Sequence, residues 1–155
     1  MSLCRQAAYA AVGVILFLGI PPRALSQDAN RDVVVTKGDV GDVVQKLATR
    51  SADFKAEFDK AVEHSMLDGT RLEDRAKHRA DNLHNSARKL RDVFGDKKDK
   101  NNPAVRDQMD RTLSAGADLD RIMREHRFTD KLQRNWELLR SDLNALATVY
   151  NLSPL

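Results

Sequence analysis

Two histidines are the side chains of this sequence best placed to bind a metal. His64 stands at the end of one stretch of helical apolar spacing and His126 at the end of another. If those stretches are helices connected up-down-up-down, both imidazoles come to one pole, with His126 on an apolar stripe and His64 beside one. Two neutral imidazoles can seed a metal site, and Glu63 or Glu125 could add a carboxylate. However, no His-x-x-x-His or His-x-x-Glu pair lies on a single helix, and His78 and His84 fall elsewhere. The pair His64 and His126 is thus the metal candidate, and no cofactor is expected.

Arginine supplies the second cluster. Arg71, Arg75 and Arg79 repeat every four residues, a row down one side of a helix. Between Arg71 and Phe94 there are seven basic and four acidic residues, and Lys97, Lys98 and Lys100 extend the bias. Such a row could meet anionic lipid headgroups, envelope polysaccharide or an acidic protein surface. It could equally be an ordinary solvated face. Aromatic residues are sparse around it, so stacking of single-stranded nucleic acid has little support, and no nucleic-acid partner is expected. Met109 and Met123 form a third, softer candidate, able to line an adaptable groove for a hydrophobic ligand or peptide.

Motifs that would specify catalysis are missing. There is no Gly-x-Ser-x-Gly, no His-Glu-x-x-His and no glycine-rich phosphate loop. Asp96 to Asp107 has the length of a calcium loop, but lysine holds its third and fifth positions and glycine is missing from its sixth. Di-iron bundles need Glu-x-x-His motifs, and covalent haem needs Cys-x-x-Cys-His; neither occurs. The sequence therefore predicts a binding module and not an enzyme.

Four amphipathic stretches must position these residues. The first runs from about Asp39 to Met66, with Val40, Val44, Leu47, Ser51, Phe54, Phe58, Ala61 and Ser65 on one face and Gly69 as its stop. The second starts at a Thr70–Glu73 capping box, carries Leu72, Ala76, Ala80, Leu83, Ala87, Leu90 and Phe94, and closes at Gly95. After a charged loop, Asn102 caps a third helix with Pro103 in its first turn, reaching about Arg127. Its interior Gly116 marks a close helix contact or a bend. Thr129 caps the fourth, where Leu132, Trp136, Leu139, Leu143, Leu146 and Tyr150 form the most regular stripe. If Trp136 is buried, its indole N–H needs a partner, from Asn135 or a carboxylate. Short connections predict an all-α, antiparallel four-helix bundle over residues 39–155. A three-helix core or a homo-oligomer sharing helices would use the same stripes.

Residues 1–26 have the order of a cleavable signal peptide. Arg5 precedes the uncharged run Ala7 to Ile20, prolines 21 and 22 break it, and Ala24-Leu25-Ser26 offers small residues for cleavage. The run is shorter than the roughly 20 residues a membrane span requires. Cleavage after Ser26 would leave 129 residues with 24 basic and 23 acidic side chains, a net charge of +1. It would also remove Cys4, the sole cysteine, so the exported chain would hold together without disulfides. Residues 27–38 read as an extended leader. The expected location is periplasmic or extracellular, with no transmembrane span after cleavage.

The segment from Trp136 through Leu139-Arg140-Ser141-Asp142-Leu143 to Leu146-Ala147 and Tyr150-Asn151-Leu152 resembles the ending of a group of small, exported, functionally uncharacterised bacterial helical proteins. The resemblance covers the fourth helix only. It implies an exported helical protein and brings no activity with it.

Overall fold

The computed structural model describes residues 40–97 and 101–155; the signal peptide and leader read from the sequence lie outside the described residues. Within them there are four helices and no strand: α1 (Val40–Glu63), α2 (Arg71–Lys97), α3 (Pro103–Glu125) and α4 (Asp130–Val149). None is long and apolar enough to cross a membrane.

Side-chain pairs fix the packing. Ser51 and Lys55 of α1 meet His84 and Asp81 of α2, so the two helices run in opposite directions. Ser86 meets Gln108 and Thr112, while Arg79 meets Asp118, which does the same for α2 and α3. Arg50 pairs with Asp142 and Glu57 with Lys131, closing α4 back onto α1. The helices form a ring in which each packs its backbone close to two neighbours and stands farther from the diagonal one. The apolar stripes converge on its axis, with Phe54, Phe58, Leu90, Leu119, Trp136 and Leu143 all buried.

The caps of α3 and α4 follow the sequence. Asn102 accepts from the Ala104 N–H at 3.0 Å and Thr129 from the Leu132 N–H at 3.3 Å. At α2, Thr70 Oγ1 accepts from the Glu73 N–H, but the Glu73 carboxylate reaches Gly69 N–H at 2.7 Å, one residue short of the Thr70 amide.

Three helix ends differ from the sequence expectation. Helix α1 stops at Glu63, because Ser65 competes for the backbone: its hydroxyl donates to Val62 O at 2.8 Å and accepts from Leu67 N–H at 3.1 Å. Gly69, at φ 69°, therefore serves the following turn and does not end the helix. That turn sends Leu67 into the core and leaves Met66 97% exposed. Helix α2 continues through Gly95 to Lys97. Its last turns are held by packing, since Val93 and Phe94 lie against the core and the Phe94 ring sits 3.3 Å from where a Gly41 Cβ would stand. Helix α3 ends at Glu125, where extended backbone at His126 turns the chain so that Phe128 packs on Phe58, ring centroids 5.3 Å apart.

Gly116 is a close-contact glycine. A Cβ there would lie 3.0 Å from Leu143 Cδ1 and 3.0 Å from Leu155 Cδ1. Leu155 arrives by a fold-back after Asn151, whose positive φ of 51° reverses the chain, and its N–H donates to Asn144 Oδ1 at 2.8 Å. The tail so fills part of the α3–α4 seam, where the two helices approach each other least.

Candidate functional site

Because α2 and α3 are antiparallel, the first turns of α2 face the last turns of α3. Between them lies a hollow of about 170 Å³. Leu67, Ala76 and Ile122 line its apolar part, and Leu72 overhangs it. Leu72 occupies a position that the sequence places in the core; instead it is 43% exposed. It stands in the first turn of α2, level with the last turn of α3, whose Ile122, Glu125 and His126 line the same hollow without covering it.

Basic side chains ring this hollow. Arg75 and Arg79 come from α2, Arg121 from α3, and His126 from the end of α3. Arg79 is committed to an ion pair with Asp118. Among the described residues, the side chains of Arg75 and Arg121 form no ion pair or hydrogen bond, and Glu125 is the remaining carboxylate on the rim. A row spaced by four residues winds by about 40° per step around its helix. By Arg71 it has turned away, and that residue is exposed outside the hollow. The structure thus joins Arg75 and Arg79 of the predicted row to His126, and adds Arg121. Nothing in the sequence spacing relates Arg121 to the row on α2; only the antiparallel pairing does.

The two candidate metal histidines line different hollows. His64 lies in the turn after α1, beside Ser65, Met66, Arg127 and Phe128. His126 faces Arg75 and Arg121. Among the described residues, no cluster of three or more His, Cys, Asp or Glu side chains is placed to hold a metal ion. Met109 and Met123 are buried within the core.

Beyond Asp118 the α2–α3 surface continues as a polar groove, with Asn82, Asn85, Ser86 and Lys89 on one side and Asp110, Arg111 and Ser114 on the other. On the opposite face, α1 and α4 are laced by charge. Glu57 accepts from Lys131 and Asn135, and the Lys131 hydrogen bond is the main reason its carboxyl titrates below the usual range. Asp142 is pushed up by burial, which outweighs its 2.6 Å bond to Arg50.

One serine–histidine contact escapes the sequence patterns. Ser51 Oγ lies 3.3 Å from His84 Nδ1 across the α1–α2 interface. The same hydroxyl donates to Ala48 O at 2.9 Å, and Ser51 is buried. The contact is arranged to lock two helices. Burial, then the neighbouring Arg88 and Lys55 charges, hold the His84 pKa below its ordinary value.

Against known proteins, the chain matches no protein-family profile, no curated protein and no solved structure.

Proposed function

We propose that this chain is an exported, non-enzymatic up-down-up-down bundle that binds an anionic protein or cell-envelope component through its α2–α3 face. Export rests on the order of residues 1–26: a positive start, an uncharged run, a proline break and a small-residue cleavage site. The resemblance of the fourth helix to small exported bacterial proteins agrees with that reading.

The observation that carries the binding role is the pair of unengaged guanidinium groups, Arg75 and Arg121, beside the uncovered Leu72. A guanidinium offers a planar fork of donors that matches a carboxylate or phosphate edge. Apolar surface next to it adds affinity and excludes water from the ion pair.

Two measurements test this. The mass of the protein recovered from the periplasm or medium should correspond to residues 27–155; a chain retaining residues 1–26 in the cytoplasm would remove export. The double variant Arg75→Glu, Arg121→Glu should lose association with the envelope fraction. Arg79 is kept because its ion pair with Asp118 joins α2 to α3. Unchanged association would remove this face from consideration.

A further inference from the structure

We propose that the hollow between α2 and α3 is a site for a small amphiphilic carboxylate, the acid group held by Arg75 and Arg121 and its short apolar body seated on Leu72 and Ile122. The proposal deepens the α2–α3 binding role and rests on it.

Leu72 shows that the hollow lacks a covering group. It belongs to the apolar stripe of α2, and its neighbours along that stripe, Ala76, Ala80 and Leu83, are all buried. The last turn of α3 stands level with Leu72 and leaves it uncovered. Leu67 and Ile122 supply the other walls. A ligand with an aliphatic end would complete this part of the core.

Charge sets the other half of the ligand. The Arg79–Asp118 pair is internally neutral. That leaves Arg75 and Arg121 against Glu125, a formal surplus of one positive charge with the histidine counted as neutral. A monoanion balances this surplus, whereas a phosphate dianion would exceed it. His126 adds a ring nitrogen at the same rim.

Size limits the body. A protein cavity of about 150 Å³ holds one benzene molecule, and at about 170 Å³ this hollow belongs to the same size class. That suits one carboxylate with a branched chain of about four carbons, and excludes a whole lipid or a folded partner from the hollow itself. The same chemistry arises from a free short acid or from the carboxyl end of a peptide with an aliphatic last residue.

The test is a titration of the folded protein with N-acetyl-leucine, followed by calorimetry and by amide NMR shifts. Saturable binding is expected with a Kd of about 1 mM, as befits so small a ligand. N-acetyl-leucine amide lacks the charge and acetate lacks the body, so each should bind at least tenfold more weakly. Arg121→Gln and Leu72→Ser should each weaken N-acetyl-leucine at least fivefold with the melting temperature unchanged, and Arg88→Gln should leave it unaltered. A tetrapeptide ending in leucine separates the two sources: tenfold tighter binding indicates a chain end, and equal affinity indicates a free acid. No saturable binding, or equal binding of the amide, overturns the proposal. If that happens while Arg75→Glu, Arg121→Glu still abolishes envelope association, the broader α2–α3 role stands without this ligand.

Discussion

Trp136 Nε1 donates to Asp120 Oδ1 at 3.0 Å, and both residues are buried between α3 and α4. The second carboxylate oxygen takes Arg124 at 3.0 Å from one turn along α3. A buried indole N–H and a buried carboxylate each carry a desolvation cost, and each satisfies the other. Asp120→Ala should therefore cost about 2 kcal/mol by leaving the indole unpaired. Asp120→Asn keeps an acceptor for Trp136 and loses only the attraction to the mostly exposed Arg124, so it should cost less than about 1 kcal/mol. Denaturant unfolding followed through the emission of Trp136, the sole tryptophan, reads both. Equal losses would mean that the indole bond contributes nothing.

Caps at the starts of α3 and α4 are independent of one another in space and sequence. Asn102→Ala and Thr129→Ala should each lower stability by about 1 kcal/mol. Their effects should add in the double variant. Thermal melts of the three proteins are sufficient, and a double variant no weaker than either single one would contradict separate capping roles.

Gly116 opposes two effects of similar size. Alanine would gain about 1 kcal/mol of helix propensity. Its Cβ would press on Leu143 and Leu155, each 3.0 Å away, and such overpacking costs about 1–3 kcal/mol. Gly116→Ala should thus be mildly destabilising alone. In a Leu155→Ala background one of the two contacts disappears, and the penalty should shrink. A double-mutant cycle in chemical denaturant measures the coupling, and a zero coupling energy would show that the tail does not occupy the seam in solution.

His84 should make stability fall in mild acid. Its folded pKa lies below the ordinary 6.5, chiefly through burial and then through Arg88 and Lys55. In the window between the folded and unfolded values, the unfolded chain binds more protons. The contribution is therefore full above about pH 6.5 and is lost as pH drops through the folded value. Asp81 opposes the shift, since its carboxylate favours the charged ring. His84→Gln should flatten the melting-temperature profile between pH 7 and pH 5 relative to the parent. Parallel profiles would mean that the imidazole titrates alike in both states.

Much of the fold can be read directly from residue types. The stripe Leu132, Trp136, Leu139, Leu143, Leu146, Tyr150 is buried from end to end. Asn102 and Thr129 cap the helices they precede, because a short polar side chain before an apolar-periodic run has little else to bond. Helix ends were less legible. Gly95 has the type of a stop signal, yet Phe94 and Val93 are anchored against the core and α2 runs on. Ser65 has no such signature, yet its hydroxyl takes Val62 O and ends α1.

The candidate site divides along the same line. Arg71, Arg75 and Arg79 are visible as a row, since positions four apart on one helix are neighbours whatever surrounds them. That Arg79 is neutralised by Asp118, that Arg75 faces Arg121 and His126, and that His64 lies in another hollow are relations between helices. Periodicity within a helix follows from 3.6 residues per turn, so the sequence alone determined the helices, their buried faces and two of their caps. Which faces meet, and where a stripe is left uncovered as at Leu72, depends on helix lengths and turns acting together, and only the tertiary structure decided it.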